Sequence, residues 1–328
     1  MVFKDQHIFL NGGAGFMGSH LVESLSKENT VTVYDNFSAA VVQESWLRNN
    51  PNVSVISGDM REEEKITEAM NHHDIVINLA AAHIRLSLSQ PLEVHDVNTT
   101  GIVTSLKAAK KTGIKRFIYI SSSEIYGSAI KPLLKEDDTK DPTTIYGVSK
   151  YVGELYTEYF HKHEGLPTMI IRLFNTYGPR AHFEDVYGEV IPRMCVRALA
   201  GEAPLIFGTG EQTRDFTYIS DTIKGILLAS EHDALLGDVV NIAYGQEVSI
   251  LQVAQAICKA TGIKTPVTLP ARPNDVMRHA ADTTKAKKLL GWKPEIDVDH
   301  GIHSYVAWLK KTYPDPKSLL NRIPEKNW

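Results

Sequence analysis

Only two cysteines, Cys195 and Cys258, occur in 328 residues, and neither belongs to a Cys-x-x-Cys pair. That scarcity excludes a disulfide framework and a cysteine-based zinc or redox motif, and a reducing, cytoplasmic location is expected. No apolar run approaches the ~18 residues of a membrane span. The N-terminus enters a strand-like pattern without the basic start of a signal peptide, so an unprocessed protein with no membrane partner is expected. An excess of one charge is missing too, since 35 basic residues stand against 39 acidic ones for a formal charge of −4. Nothing in that balance attracts phosphate backbones, and no nucleic-acid partner is expected. His72-His73 and His161-x-His163 have no partners at ligand spacing, so no metal site is predicted. Internal repeats and low-complexity tracts are absent. With 43% hydrophobic and 23% charged residues, the chain has the composition of one large or two medium globular domains.

Six apolar runs of strand length fill the first half: His7–Leu10, Val31–Tyr34, Val53–Ile56, Ile75–Leu79, Phe117–Ile120 and Thr168–Phe174. They lack polar alternation, which predicts strands buried on both faces. Helical patterns lie between them, carried by Met17, Leu21 and Leu25, by Val94 through Ala109, and by Ile145 through Tyr159. Strand, helix, strand predicts an α/β fold of Rossmann type, a doubly wound parallel sheet covered on both sides. The strands run into Gly12, Asp35, Asp59, Ala80, Ser122 and Asn175 at their carboxyl ends, the edge where open parallel sheets bind ligands. After about residue 178, Gly and Pro punctuate shorter elements. The division expected is a dinucleotide-binding domain over 1–177 and a smaller mixed α/β domain over 178–328. Asp215–Ile219 and Val239–Ala243 read as strands, so segments around 215–245 could return to the first sheet.

The first strand is followed by Gly12-Gly13-Ala14-Gly15-Phe16-Met17-Gly18, which opens the first helix. Glycines there allow a tight turn and close approach of backbone to a pyrophosphate, while the helix start offers unpaired N–H groups. Asp35 ends the second strand, where a carboxylate accepts from ribose hydroxyls and repels a 2′-phosphate. Together these predict NAD rather than NADP. Asp59 and Met60, after the third strand, are candidates to hold the adenine.

Tyr146 and Lys150 stand four residues apart on one face of a predicted helix. A free phenol titrates near ~10, and an adjacent ammonium and a cationic nicotinamide would both lower that value. A second Tyr-x-x-x-Lys, Tyr313 to Lys317, contains Pro314 and Pro316 and cannot be a regular helix. Ser121-Ser122-Ser123-Glu124-Ile125-Tyr126-Gly127 places hydroxyls on the same sheet edge as the glycine loop.

At this point the sequence resembles the extended short-chain dehydrogenase/reductases, specifically the NAD-dependent nucleotide-sugar epimerases, dehydratases and decarboxylases. The resemblance spans residues 7 to 310. It is carried by the glycine loop, Asp35-Asn36, Ser122 through Gly127, Tyr146 with Lys150, Arg172 through Arg180, and Gln212 through Phe216. It implies a Rossmann domain holding NAD and a C-terminal domain holding a nucleoside diphosphate sugar. Tyr146 would take the proton of the sugar 4-hydroxyl, Ser122 would hydrogen-bond that oxygen, and Lys150 would hold the nicotinamide ribose. The 4-keto sugar then branches to epimerisation, dehydration or decarboxylation.

Dehydratases of this family carry Asp-Glu after the hydroxyl, whereas this chain has Ser123-Glu124. Hydroxyl-Ser-Glu resembles the UDP-glucuronate decarboxylases, and Pro142 through Lys150 resembles the epimerases. The resemblance favours a 4-epimerase of UDP-hexoses, with a decarboxylase or uronate epimerase as the alternative and an NAD-sensing scaffold as the non-enzymatic one. Arg214 and Arg272 are expected at the diphosphate, Asn175 at the diphosphate or sugar, and Arg180 at a sugar carboxylate where one exists. The stretch Asp275–Asp282 aligns His279 with the residue whose size controls admission of a 2-acetamido group. Helices around Val94–Ala109 and Ile145–Phe160 resemble those that pair across a two-fold axis, implying a homodimer.

Overall fold

The computed structural model describes residues 3–129, 131–272 and 276–324. Asp275, the first residue of the stretch aligned around His279, and the last four residues of the tail lie outside it.

Six strands follow the predicted runs: β1 (His7–Asn11), β2 (Thr30–Asp35), β3 (Val53–Ser57), β4 (Ile75–Asn78), β5 (Arg116–Ser122) and β6 (Thr168–Leu173). All pair in parallel, and a seventh strand, Val239–Ile242, joins the far edge beside β6. From that edge the order runs Val239–Ile242, β6, β5, β4, β1, β2, β3. Chain direction across the sheet reverses between β1 and β4, which opens a crevice at their carboxyl ends.

Burial on both faces explains the missing polar alternation. Ile8, Leu10, Val31, Val33, Ile118 and Ile120 pack into the core on one side of the sheet. Phe9, Tyr34, Val76, Phe117 and Tyr119 pack into the core on the other. The Asp215–Ile219 run does not return to this sheet. Its central residues, Phe216–Tyr218, pair instead with Asn175–Tyr177 in a separate two-stranded ribbon. The predicted helix over Val94–Ala109 is divided. Pro91–His95 and Gly101–Thr112 are α-helical, and a π-helical turn, Asp96–Thr100, sits between them. Among the described residues no helix is long and apolar enough to cross a membrane.

Candidate active site

The crevice at the carboxyl edge begins with the turn after β1. Gly12 has φ +86°, and a Cβ there would meet the Ala80 backbone nitrogen at 2.7 Å, so only glycine fits. Gly15 caps the first helix, α1 (Phe16–Leu25), without a side-chain hydrogen bond. The first N–H groups of that helix, those of Phe16, Met17 and Gly18, are the ones an α-helix leaves unpaired, and they offer a partial positive charge to an anion. Asp35 ends β2, its carboxylate accepting from Ala14 N at 2.9 Å and Phe37 N at 2.8 Å. Burial nevertheless raises its carboxyl above the usual range. Gly12, Gly15, Asp35, Asn36, Asp59, Met60 and Ala80 line one cleft of ≈ 350 Å³. The side chain of Asp59 is engaged by Arg61, whose guanidinium donates to it at 2.8 and 3.0 Å and holds the carboxyl below its usual range. Met60 is buried and accepts from Asn11 Nδ2 through sulfur at 3.5 Å. A glycine cradle that excludes side chains, a helix start and a carboxylate at the second strand fit an adenine dinucleotide.

Ser122 closes β5, and its Oγ accepts from Glu124 N at 3.2 Å, starting the single helical turn Ser123–Tyr126. Opposite it runs the Ile145–Glu164 helix, capped by Thr144, whose Oγ1 accepts from Gly147 N at 2.9 Å. A Cβ on Gly147 would lie 2.6 Å from the Glu124 carbonyl, so this glycine sets how closely the helix and the turn approach. Tyr146, in the first turn of that helix, is the side chain that meets Ser122. Burial pushes its phenol up to about 12, Ser122 pulls it down, and Glu124 and Glu189 push it up. Lys150 is buried, donates from Nζ to the Ile120 carbonyl at 2.7 Å and lies 4.4 Å from the Tyr119 ring centroid. Burial pulls it down to about 7, and Glu154 opposes that shift. The expected lowering of Tyr146 by Lys150 is not found, because burial dominates both groups and the Lys150 ammonium is committed to a carbonyl.

A second cleft of ≈ 250 Å³ continues from there, and its walls include Glu124, Asn175, Arg214 and Arg272. Arg214 NH1 donates to the carbonyls of Thr213 and Val276 at 2.8 and 2.6 Å. The Arg272 guanidinium lies 4.7 Å from the Phe207 ring centroid.

Two expected residues lie elsewhere. Arg180 is bound bidentately by Glu23 of α1 at 3.0 and 2.6 Å and stacks 5.4 Å from the Trp46 ring, outside the walls of this second cleft. His279 is buried behind the cleft against Phe174, with Nε2 2.9 Å from the Ser123 carbonyl, so its ring supports the Ser123 backbone instead of lining the wall.

Sequence reasoning missed His83, Arg85 and Glu189, all in the same wall. The position of His83 and Arg85 after β4 was the available signal. Glu189, pushed up to about 8 by burial, had none. Asn98 was missed as well. From the π-helical turn it grips Ala82 N at 2.7 Å and Ser149 Oγ at 3.0 Å, tying the loop after β4 to the helix of Tyr146 and Lys150.

The profile of the GDP-mannose 4,6 dehydratase family matches residues 9–305. The chain belongs to that family, within the extended short-chain dehydrogenase/reductases. A putative UDP-glucose 4-epimerase of Methanocaldococcus jannaschii is 34% identical over 311 residues, 92% of this chain and 98% of that protein. The UDP-glucose 4-epimerase of Thermotoga maritima, solved with UDP-glucose, superposes with a TM-score of 0.88 at 33% identity over 93% of this chain and 99% of that one. The UDP-glucuronic acid 4-epimerase of Bacillus cereus, solved with UDP-glucuronic acid and NAD, gives 0.85 at 30% identity over 94% of this chain and 100% of that one. Other relatives of this short-chain dehydrogenase/reductase are UDP-glucuronate decarboxylases and dTDP-glucose dehydratases. It is an NAD-dependent enzyme of the nucleotide-sugar epimerase/dehydratase family.

Proposed function

We propose that the protein is a nucleotide-sugar 4-epimerase acting on UDP-hexoses of the glucose and galactose type. The observation that carries this reading is the convergence of Ser122, at the end of β5, and Tyr146, at the start of the opposing helix, beside the arginine-lined cleft whose walls include their neighbours Glu124 and Thr144. When bound, NAD supplies the hydride acceptor for the sugar C4 and a positive charge beside the phenol. Tyr146 Oη takes the proton of the sugar 4-hydroxyl, and Ser122 Oγ hydrogen-bonds the same oxygen. Lys150 holds the nicotinamide ribose, and Arg214 and Arg272 pair with the diphosphate, where a guanidinium matches phosphate oxygens bidentately. Inversion at C4 would follow return of the hydride to the other face of the 4-keto sugar, with Tyr146 Oη giving its proton back to the 4-oxygen.

Ser123 is buried, and its side chain brings no acid between Ser122 and Glu124. Loss of water across C5 and C6 needs a proton donor for the departing hydroxyl, so the site favours epimerisation over dehydration. The neighbours solved with UDP-glucose and UDP-glucuronic acid support a uridine nucleotide.

We further propose a homodimer. On the Ile145–Glu164 helix, Ile145, Val148, Leu155, Tyr156 and Tyr159 are exposed on one apolar face, and Leu92 stands out beside it on Pro91–His95.

Incubation with UDP-glucose is expected to yield UDP-galactose. Tyr146→Phe is expected to lower kcat by about 10²–10⁴-fold with an unchanged melting temperature. Carbon dioxide released from UDP-glucuronate, with no UDP-galactose formed, would replace the epimerase by a decarboxylase.

A further inference from the structure

One charged network lies outside the two clefts and touches three segments of the site. Arg172, near the carboxyl end of β6, is 2% exposed, and Glu154 is 1% exposed. Their side chains pair bidentately, Arg172 Nε donating to Glu154 at 2.9 Å and Arg172 NH2 at 2.8 Å. Arg172 NH1 donates to Tyr126 Oη at 2.7 Å and to the Glu136 carbonyl at 2.8 Å. Tyr126 belongs to the turn that starts at Ser122, and its hydroxyl donates to Asn241 of the seventh strand at 2.9 Å. Glu154 lies four residues after Lys150, one helical turn along the same face.

We infer that Glu154 is a positioning residue: its carboxylate, fixed by Arg172, holds the Lys150 side chain as an ammonium beside Tyr146. A buried lysine is driven toward its neutral form unless opposite charge or hydrogen bonds to the cation compensate. Around Lys150, β5 supplies the Tyr119 ring and the Ile120 carbonyl, its own helix supplies Tyr146 and Glu154 one turn to either side, and β6 supplies Arg172, paired with Glu154. Among them Glu154 is the charge that favours the ammonium, and burial opposes it. Arg172, hydrogen-bonded to that carboxylate, carries a charge of opposite effect, and the comparison of single and double variants separates the two. A neutral Lys150 would deprive a phenolate at Tyr146 of its neighbouring cation. The inference rests on the assignment of Tyr146 and Lys150 to the reaction, but not on which sugar is turned over.

The test reads Lys150 directly. In the full chain, with lysine carrying ¹³C at Cε, the Lys150 signal is identified by its disappearance in Lys150→Arg and titrated by NMR without sugar. In Glu154→Gln the Lys150 midpoint is expected to fall by about one pH unit or more, and the alkaline limb of activity to move down with it. Glu154→Gln leaves a buried guanidinium without its carboxylate, which can prevent folding. The double variant Glu154→Gln/Arg172→Met removes both charges and makes the same comparison. A lowered Lys150 midpoint in the folded double variant supports the inference. A wild-type midpoint in the double variant means that Glu154 serves only to neutralise Arg172, and overturns it. Because the titration needs no substrate, a lowered midpoint in a protein that fails to make UDP-galactose rejects the epimerase reading alone.

Discussion

Burial at the level of single side chains gives this protein an acid-sensitive side. His83 is pulled down to about 3, and His182 and His279 to about 4, in each case first by desolvation. In the unfolded chain these imidazoles protonate near ~6.5, so between that pH and about 4 the unfolded state binds more protons than the folded one. Stability is therefore complete above pH ~6.5 and is lost as pH falls toward 4. The lowering at His279 corresponds to about 3 kcal/mol when fully developed, at ~1.4 kcal/mol per pH unit. Denaturant unfolding of His279→Gln at several pH values is expected to show a shallower loss between pH 6.5 and 4 than the wild type. An identical slope would place the acid sensitivity elsewhere. The same residue shows where sequence reading stops. The placement of Tyr146, Lys150 and Ser122 was legible because it depends on spacing within one helix and on the end of one strand. The surroundings of His279 and Arg180 depend on Ser123 and Glu23, partners 156 and 157 residues away in the chain.

Periodicity predicts elements well where one face packs and less well where a polar group interrupts the pattern. The six runs without alternation became strands because both sheet faces are covered. Val94 through Ala109 read as one helix, yet a π-helical turn carries Asn98 inward to bond Ala82 and Ser149, and a local change of winding at such a polar grip leaves the apolar period nearly intact. On the Ile145–Glu164 helix the pattern was also ambiguous. Ile145, Val148 and Leu155 have the spacing of a core-facing stripe, but they are exposed, and the helix turns Gly147, Ser149, Lys150, Gly153 and Glu154 to the protein interior instead. A solvent-facing stripe of that length marks an interaction surface, and the same face on a second copy completes it under two-fold symmetry. The double variant Leu155→Glu/Tyr159→Glu is expected to convert a dimer into a monomer in analytical ultracentrifugation. The melting temperature should fall as well if the interface contributes to stability. A wild-type protein that sediments as a monomer would sink the proposal.

Across the whole molecule, the boundary expected at residue 177, with a return around 215–245, is crossed by one sheet. Val239–Ile242 pairs with β6 over Val239↔Ile170 to Ile242↔Leu173, and the Ile219–Glu231 helix covers that edge with Ile223, Ile226 and Leu227 in the same core as Ile118 and Ile171. Arg116 of β5 also donates to the Ser230 carbonyl at 2.7 Å. The seven-stranded sheet is thus completed by chain that follows the Phe216–Tyr218 ribbon, a return that a sequence can hint at through a strand-like run but cannot assign to one sheet edge. A fragment ending at Tyr177 would expose β6 as an unpaired parallel edge and uncover the apolar side chains beneath the missing helix, which favours aggregation. That fragment is expected to show no cooperative unfolding transition, while the full chain unfolds in one. NAD, which binds only the folded crevice, should raise the stability of the full chain by about 2.7 kcal/mol at a free concentration one hundred times its Kd, and should leave the fragment unchanged. Calorimetry with and without NAD on both proteins decides the matter. Two separate transitions in the full chain, with only one of them responding to NAD, would mean that the returning strand does not unite the halves.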